Sequence, residues 1–527
     1  MKILLLKIQN RSSRFLLPAI ILFGAAVRFY EISRESLWYD ELFPLWASRL
    51  PIGELLKEVP ASRHPPLYYL IGHVWFAIST NDTWVRLISW TAGVFTIWLV
   101  YLLAKEMFSR RAGLWAATLA ASSPYLFWYS REASDYSLLI AVSTASLYFL
   151  VRSSNRGGWA NWTVYVITTT AALFTHFYAV FLLGAEAAFF LLIHDRRQRR
   201  LRPWLISEAA LMGSVLLWML FNRGAAGWVV FNLPDLKTFM ADAFWRGPVA
   251  LLWGTMPLNH AEVVVPYWLG RDYMQVAIVL LFLGMLALSA QFRKAFLQKK
   301  TLGLTVLVLV LLAGPVLGQS LRETFTSVRY YALAITPLLL LITAFVSAAP
   351  RRVGTVIGSL AAAASLCVTG WTLINYHYDN WRGAMATVSD TRQAGDHMFC
   401  FPISECTMAA HHYLNDTMPV SGGFLRPGAP ESVTFYPLGT EWYGYRTREI
   451  YGKQVTLTAL ELENRVNQEL QSTDRVWILA GDGSADDILR ADVIYRILGK
   501  DWRQVGEWEY LPLVLKLYIR EGNSGLA

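Results

Sequence analysis

Apolar runs recur along roughly the first 380 residues of this chain, and short polar segments rich in charge separate them. A helix needs about 20 apolar residues to cross a bilayer. The pattern therefore predicts spanning helices at 15–30, 84–105, 113–130, 134–151, 204–221, 274–292, 301–321, 330–349 and 353–377. The run 160–194 is too long for one span, and Thr175 and His176 interrupt it, so we expect two spans joined as a tight hairpin.

The basic residues between these runs predict the orientation of the chain, because cytoplasmic loops are enriched in Lys and Arg. The clusters lie at Arg11/Arg14, Lys105/Arg110/Arg111, Arg152/Arg156, 196–200, 293–300 and Arg351/Arg352. All of them face the cytoplasm only if the apolar stretch 65–80 lies in the outer leaflet instead of crossing it. The sequence thus predicts a polytopic α-helical membrane protein with about eleven transmembrane helices, an uncleaved first helix, a cytoplasmic N-terminus and an extracytoplasmic C-terminus.

The pattern turns polar after residue 377, and helical and alternating stretches follow one another. Helices are predicted at 387–394, 460–471 and 486–498, and strands at 397–402, 475–480 and 513–519. We therefore predict two domains. Residues 1–377 form a transmembrane catalytic domain whose outer loop 31–83 carries an acidic motif, and residues 378–527 form a soluble extracytoplasmic α/β domain.

Composition supports a membrane protein and excludes other classes. Of the 527 residues, 55% are hydrophobic and only 16% are charged, against roughly 25% charged in soluble domains. The net charge of +9 is explained by cytoplasmic loops, so it does not indicate a nucleic-acid partner. Three cysteines make no disulfide framework; Cys400 and Cys406 either pair outside the cytoplasm or remain free thiols.

The predicted topology places a set of polar residues on one face of the membrane. Each alone is explained by solvation or a local ion pair, but together they bring carboxylates and cations from four outer segments to one surface. The set is Asp40, Glu41, Arg63, His64, Arg131, Glu132, Asp135, His176, Arg322, Glu323 and Arg329.

Such a surface suits a sugar carried on a lipid phosphate, with its tail in the bilayer and its head at the interface. Arginine binds phosphate bidentately, and the phosphate leaving group needs its charge neutralised more than it needs a proton. The acceptor hydroxyl needs a carboxylate base. On this hypothesis Asp40 is the base, and Arg329, Arg131 and His64 lie on the phosphate side.

Six stretches of the chain resemble the membrane glycosyltransferases of the C-type fold, and within them the protein O-mannosyltransferase and lipid A aminoarabinose transferase group. The stretches are SLWYDELF (36–43), RHPPLYYLI (63–71), 83–117, WYSREASDYSLL (128–139), THFYAVFLL (175–183) and SVRYYALAITPLLLL (327–341). The resemblance implies a polyprenyl-phosphate-linked sugar donor and transfer on the extracytoplasmic face.

The resemblance also implies roles for individual residues. Asp40, with Glu41 beside it, matches the catalytic acidic pair, and a second catalytic acid matches Asp135, with Glu132 competing for that place. Residues of the donor phosphate site in relatives match Arg63, His64 and Arg329, whereas Arg131 is a predicted phosphate ligand from its place on the outer face. The aminoarabinose enzymes carry an acid and a lysine where this chain has Arg63 and His64, and that acid takes part in a metal site. A divalent metal therefore cannot be carried over from the relatives; no cofactor is certain, and a divalent metal stays possible.

Several alternatives stay open at this stage. His176 is either a hydrogen-bonded structural histidine or part of the site, and Arg86 either snorkels to the outer interface or supports the acidic loop. A lipid-linked-sugar transporter or flippase, or a non-catalytic lipid-binding assembly protein, is the alternative function, although only Glu186 lies deep in a span. The acceptor is a cell-envelope lipid, glycan or protein, and the expected location is a bacterial inner membrane.

Overall fold

The chain forms two compact units in the computed structural model. The first comprises Met1–Ile32, Val59–Trp75 and Thr83–Asn375, and the second comprises Ser33–Glu58, Phe76–Asp82 and Tyr376–Ala527. The structure describes residues 2–61, 64–194, 200–221, 251, 290–320, 328–375, 377, 379–401, 403–414, 420–425, 433–436, 455–457 and, with gaps, 467–521.

Helices build the first unit and also enter the second. Their bounds are α1 Lys2–Phe29, α2 Tyr39–Arg49, α3 Ile52–Ala61, α4 Leu67–Trp75, α5 Asp82–Met107, α6 Arg110–Ser122, α7 Pro124–Tyr129, α8 Asp135–Arg156, α9 Trp159–Thr175, α10 Val180–Ile193, α11 Leu201–Phe221, α12 Ala290–Phe296, α13 Lys299–Ser320, α14 Ile335–Ala348, α15 Arg351–Asn375, α16 Trp381–Thr391 and α17 Ile403–Leu414. Short 3₁₀ turns cover Phe177–Ala179 and Val328–Ala334.

Five helical segments of the described residues are long and apolar enough to cross a membrane. They are Asp82–Met107, Asp135–Arg156, Lys299–Leu317, Arg329–Ala348 and Arg351–Asn375. Each coincides with a span predicted from the sequence. The count of eleven stays a prediction, and the span at 274–292 falls outside the described residues up to position 289.

The stretch 65–80 does not form a spanning helix. Its helix α4 has nine residues, which gives a length of about 14 Å against a hydrocarbon core of about 30 Å. Residues Trp75 and Trp84 stack with ring centroids 4.6 Å apart. Their indole nitrogens donate to each other's backbone carbonyls at 3.0 Å, which fixes the end of α4 against the start of α5.

The predicted span 113–130 is two helices, α6 and α7. Ser123 ends the first and caps the second, since its hydroxyl accepts from the backbone N–H of Leu126. Pro124 occupies the first turn of α7 and has no N–H to offer the carbonyl of Ala120. The buried Arg28 of α1 supplies that missing donor, at 2.8 Å. A proline-induced break is therefore stabilised by a cation from another helix.

The run 160–194 also divides, as the sequence predicts. His176 adopts an extended conformation between α9 and the turn Phe177–Ala179, and α10 follows. Trp162 near the start of α9 meets Phe190 near the end of α10, with ring centroids 6.0 Å apart. The two helices are therefore an antiparallel pair with His176 at the turn.

The described strands of the second unit form one mixed sheet of seven. They are β1 His397–Phe401, β2 Val420–Leu425, β3 Val433–Tyr436, β4 Val455–Leu457, β5 Arg475–Gly481, β6 Trp502–Tyr510 and β7 Leu513–Arg520. Their order is β4-β3-β2-β1-β5-β7-β6. The central strand β1 runs parallel to both neighbours, with Cys400 opposite Gly422 of β2 and Leu479 of β5. The other pairs are antiparallel.

Sequence patterns located part of this unit. The strands at 397–402, 475–480 and 513–519 are confirmed within one residue. The helix predicted at 387–394 instead begins at Trp381, because the Asn380 side chain caps it by accepting from the N–H of Gly383 at 2.9 Å. The helices predicted at 460–471 and 486–498 fall almost entirely outside the described residues.

Two further features bear on the predicted organisation. The outer loop 31–83 is assigned to the membrane domain by sequence, whereas the structure groups residues 33–58 and 76–82 with the second unit. The reason is packing, because α2 lies against α17. Cys400 and Cys406 are joined as a disulfide, and Cys367 is a free, exposed thiol.

Candidate active site

The end of α1 is held by three arginines that donate to backbone carbonyls. Arg28 contacts the carbonyls of Ala120 and Ala121, each at 2.8 Å. Arg131 donates to the carbonyls of Tyr30 and Glu31, the latter at 2.7 Å. Arg86 donates to the carbonyl of Ile32 at 2.8 Å. These bonds fix a turn made of Tyr30, Glu31 and Ile32.

Glu31 shows why this turn needs support. Its φ is +49°, the left-handed region that side chains other than glycine rarely adopt. The carbonyls on either side of this kink are held by Arg131 and Arg86. Arg86 is 2% exposed, so it is buried and supports the start of the acidic loop. The guanidinium of Arg131 is likewise engaged by the turn, which gives that residue a structural role; its predicted phosphate role stays a prediction.

Glu132 and Asp135 lie close together at the start of α8, and both are buried. Glu132 accepts from the indole nitrogen of Trp128 at 3.2 Å. Asp135 is the first residue of α8, and its Oδ2 atom has no hydrogen-bond partner among the described residues. The structure thus holds both competing acids in the same buried turn.

Close packing fixes the position of this turn. The Ser89 hydroxyl of α5 donates to the carbonyl of Ser134 at 3.1 Å, and the backbone carbonyl of Ser89 accepts from the hydroxyl of Ser137 at 2.7 Å. A Cβ atom at Gly93 would overlap the Ser130 side chain, so glycine lets the turn approach α5. The start of α8 is therefore rigidly placed on α5.

A cluster of aromatic rings connects Asp135 to Arg329 within the first unit. Tyr136, which follows Asp135, lies with its ring centroid 5.3 Å from that of His176. His176 lies 6.2 Å from Tyr330, which follows Arg329. The hydroxyl of Tyr125 donates to the carbonyl of Arg329 at 3.3 Å. The structure thus brings the predicted residues Asp135, His176 and Arg329 into one neighbourhood.

His176 has a defined structural task in this cluster. Its Nδ1 atom accepts from the backbone N–H of Tyr178 at 3.1 Å, which caps the turn after α9. The ring is 2% exposed and contacts Phe177, Tyr178 and Tyr136. His176 therefore has the hydrogen bond expected of a structural histidine, and its part in the site stays a prediction.

His64 is half-buried, and its imidazole packs against Tyr69 with centroids 5.8 Å apart. Burial lowers the pKa of His64 to about 4. At neutral pH the ring is uncharged, so it can offer a donor phosphate a hydrogen bond but no positive charge. Its neighbour Arg63 lies outside the described residues.

The sequence leaves a divalent metal possible, and its ligands would have to be grouped side chains. No group of three or more His, Cys, Asp and Glu side chains in the described part of the chain has the arrangement to hold a metal ion. We assign no step of the chemistry to a metal.

Asp40 and Glu41 lie in the second unit, in the first turn of α2. A helix N-terminus stabilises a negative charge. The two acids differ in exposure, because Glu41 is 0% exposed and Asp40 is partly exposed. Asp40 is therefore the acid of the pair that solvent and ligands can reach, and Glu41 is an internal residue of the helix.

Sequence reasoning missed several residues that shape these neighbourhoods. Arg28, Asp82, Arg382 and Tyr413 carry long-range contacts, and Tyr125, Tyr129, Tyr178 and Tyr330 form the aromatic cluster. One local signal existed for Arg28 and Asp82, since each is a charge at the end of an apolar helix. The tyrosines gave no signal, because aromatic residues are abundant throughout the chain.

The overall architecture is that of known membrane glycosyltransferases. ArnT from Cupriavidus metallidurans, bound to undecaprenyl phosphate, matches with a TM-score of 0.57 and 11% identity, over 96% of this chain and 98% of that one. The archaeal oligosaccharyltransferase AglB from Archaeoglobus fulgidus, in complex with an inhibitory peptide and a dolichol-phosphate, matches with a TM-score of 0.51 and 11% identity, over 96% and 74%. The chain thus has the C-type membrane glycosyltransferase fold.

A family model points in the same direction. Residues 63–221 match the family described as dolichyl-phosphate-mannose-protein mannosyltransferase. The resemblance found from the sequence motifs is thereby confirmed, and the chain is a multi-pass membrane protein. No curated protein sequence matches it. The solved relatives share the fold at an identity too low to carry over their substrates.

Proposed function

We propose that this protein is an inverting glycosyltransferase that moves a sugar from a polyprenyl-phosphate donor to an acceptor hydroxyl or amine on the extracytoplasmic face of a membrane. The observation that carries the proposal is the C-type fold, with a partly exposed Asp40 in the first turn of α2. The family match over residues 63–221 supports a lipid-phosphate-linked donor.

The reaction requires one base and a neutralised leaving group. Asp40 takes the proton from the acceptor hydroxyl while the acceptor oxygen forms a bond to the anomeric carbon. The bond between that carbon and the phosphate oxygen breaks, and the polyprenyl phosphate leaves with the electron pair. Arg329 stabilises the phosphate by charge and hydrogen bonding. Attack opposite to the leaving group inverts the anomeric carbon.

A second acid, Asp135, lies in the neighbourhood of Arg329 in the first unit. Asp135 is 6% exposed, with an oxygen that has no hydrogen-bond partner in the described part of the chain. We assign it to the hydroxyls of the donor sugar, which offer hydrogen-bond donors to such an oxygen. The uncharged His64 offers hydrogen bonding alone, and Arg63 remains a predicted phosphate ligand.

The first test measures release of undecaprenyl phosphate from a panel of undecaprenyl-phosphate-linked sugars by the purified full-length protein, with envelope extract as acceptor source. Asp40→Asn should lower kcat by about 10²–10⁴-fold, the usual contribution of a general base. Glu54→Gln is the matched control, because Glu54 is an acid in the first turn of α3 on the same loop. Full turnover by Asp40→Asn would show that Asp40 is not the base. Movement of the intact donor across the membrane of vesicles, without turnover, would favour a transporter.

A second test addresses the predicted topology. Arg110→Cys in a Cys367→Ser background should resist an impermeant thiol reagent added outside intact cells, because the 105–111 cluster is predicted to be cytoplasmic. A cysteine at position 34 should react, since the acidic loop is predicted to be extracytoplasmic. Labelling at position 110 from outside would contradict the eleven-span prediction and the proposed side of transfer.

A further inference from the structure

A single carboxylate organises a polar cluster in the second unit. The Asp82 side chain meets the guanidinium of Arg382 at 2.7 Å, the Nε2 atom of His412 at 3.1 Å and the hydroxyl of Tyr413 at 3.1 Å. Asp82 is 8% exposed. These partners come from α16 and α17, some 300 residues away in sequence. The contacts are therefore a property of the fold and not of local sequence.

The same side chains also hold the segment that leads into α2. Arg382 donates to the carbonyls of Ser33 and Glu35 at 3.0 and 2.8 Å. The Tyr413 hydroxyl accepts from the backbone N–H of Leu37 at 2.9 Å. One hydroxyl thus donates to Asp82 and accepts from Leu37, which joins the carboxylate to the backbone by two hydrogen bonds.

The Tyr413 hydroxyl is suited to this bridging task. Burial, together with the nearby Asp82 carboxylate, raises the pKa of Tyr413 above its usual value. The group therefore stays protonated throughout the working pH range and always has a hydrogen to donate. Leu37 is fully buried, so without this hydroxyl its N–H would lose its hydrogen-bond partner away from water.

Leu37 lies three residues before Asp40, and rigid backbone joins them. The carbonyl of Trp38 accepts from the N–H groups of Glu41 at 2.9 Å and Leu42 at 2.8 Å, which starts helix α2. A displacement of Leu37 therefore moves the first turn of α2. A general base loses most of its effect when it is misplaced by about 1 Å.

We propose that Tyr413 is a positioning residue that sets Asp40 by anchoring Leu37 to Asp82. The proposal rests on the proposed function, in which Asp40 is the base. It gives the C-terminal part of the chain an indirect role in transfer, because α17 supplies the anchor. Arg382 contributes through the carbonyls of Ser33 and Glu35.

The test compares two tyrosine-to-phenylalanine substitutions in the purified full-length protein. Tyr413→Phe removes the hydroxyl and keeps the ring. Tyr510→Phe is the matched control, because the Tyr510 hydroxyl lies in the same unit and bonds Thr387, whereas the Tyr413 hydroxyl bonds Leu37. Release of undecaprenyl phosphate is measured as kcat and donor KM, and hydrogen–deuterium exchange is measured at the Leu37 amide.

The expected result is specific to positioning. Tyr413→Phe should lower kcat by about 10-fold or more with donor KM within about twofold, since donor contacts are unchanged. The Leu37 amide should exchange faster. Tyr510→Phe should leave kcat and that amide unchanged.

Two results would overturn the proposal. An unchanged exchange rate of the Leu37 amide in Tyr413→Phe would show that Tyr413 does not anchor Leu37. An unchanged kcat would show that the anchor does not position Asp40. The Asp40→Asn variant is run in parallel to separate the two proposals. If Asp40→Asn loses turnover and Tyr413→Phe does not, only the positioning proposal fails. If Asp40→Asn keeps full turnover, the proposed function fails, and the exchange rate still reports whether the anchor exists.

Discussion

The two units hold neighbouring stretches of one chain by different means. In the first unit, the turn after α1 is held by Arg28, Arg86 and Arg131, which all donate to backbone carbonyls. In the second unit, the segment before α2 is held around the carboxylate of Asp82 by charged and polar side chains. The first mode joins cations to backbone carbonyls, whereas the second includes a pair of opposite charges.

The difference follows from what each environment supplies. Among apolar helices, carbonyls at helix ends and proline breaks lack donors and cannot turn to water. An arginine with five N–H groups satisfies several of them at once. In the polar unit water solvates such carbonyls, so a carboxylate can gather cationic and hydroxyl partners instead. Arginine therefore stabilises the first region through hydrogen bonds to carbonyls and the second region partly through charge attraction.

The largest expected effect comes from breaking the carbonyl-bound mode. Arg28→Met should lower the free energy of unfolding by about 3 kcal/mol, because it removes the hydrogen bonds to the buried carbonyls of Ala120 and Ala121. Thermal unfolding in detergent measures this. Arg34→Met, at a half-exposed arginine beside Glu35, is the control and should change stability little. Equal effects at both positions would contradict the comparison.

A smaller, salt-dependent effect is expected from the ion-paired mode. Asp82→Asn should lower the free energy of unfolding by about 1–2 kcal/mol, because the neutral amide loses the charge attraction to Arg382. Arg382 is partly exposed, so the difference from wild type should shrink between 50 and 500 mM NaCl. The Arg28→Met difference should stay constant over the same range. A salt-independent Asp82→Asn effect would show that charge pairing is not what Asp82 contributes.

Burial lowers the pKa of a described histidine to about 4 in each unit: His64 in the first and His397 in the second. The folded state favours the neutral ring, and the unfolded state takes up a proton below about pH 6.5. The resulting stability is present above pH 6.5 and is lost as the pH falls toward 4. For His397, 2% exposed, the loss at pH 5.5 relative to pH 7.5 should be about 1 kcal/mol.

The measurement is thermal stability across this pH window for wild type, His397→Leu and His64→Leu. Each substitution should flatten the decline by its own share, and the smaller share should belong to His64 because that ring is only half-buried. A decline that both variants retain in full would assign the acid sensitivity to other groups.

The smallest expected effect concerns the strained turn of the first unit. Glu31→Gly should raise the free energy of unfolding by up to about 1 kcal/mol, because glycine adopts the left-handed conformation of Glu31 at little cost. Arg34→Gly, at a position without positive φ, should lower it. Denaturant or thermal titration of both variants measures the contrast. A loss of stability in Glu31→Gly would mean that the Glu31 side chain contributes more than the strain costs.

Several features could be predicted because their cause is local. The spans at 84–105, 134–151, 301–321, 330–349 and 353–377 follow from the lengths of apolar runs, and the structure has helices there. The division of 160–194 at His176 follows from a polar interruption. The motif SLWYDELF marked Asp40 and Glu41, but the sequence treats the two acids alike. Only packing made Glu41 internal and left Asp40 partly exposed.

Other features were out of reach because their cause lies far away in sequence. The break at Ser123 is signalled by Pro124, but the donor that stabilises it belongs to Arg28, 92 residues away. The structural use of Arg131 was hidden, since a guanidinium that binds phosphate and one that binds carbonyls look identical in a sequence. Arg63 and the span 274–292 remain predictions, because both lie outside the described residues apart from positions 290–292.

The sequence by itself determined the class of protein, because the lengths of apolar runs, the charges of loops and short motifs are local properties of the chain. It determined the candidate acids and the donor chemistry as hypotheses. The tertiary structure alone decided which polar groups already have hydrogen-bond partners. It joins Arg131 to the turn after α1, and it joins Tyr413 to Leu37 across more than 370 residues. Hydrogen bonds depend on distance and direction in space, and the order of residues along the chain encodes neither.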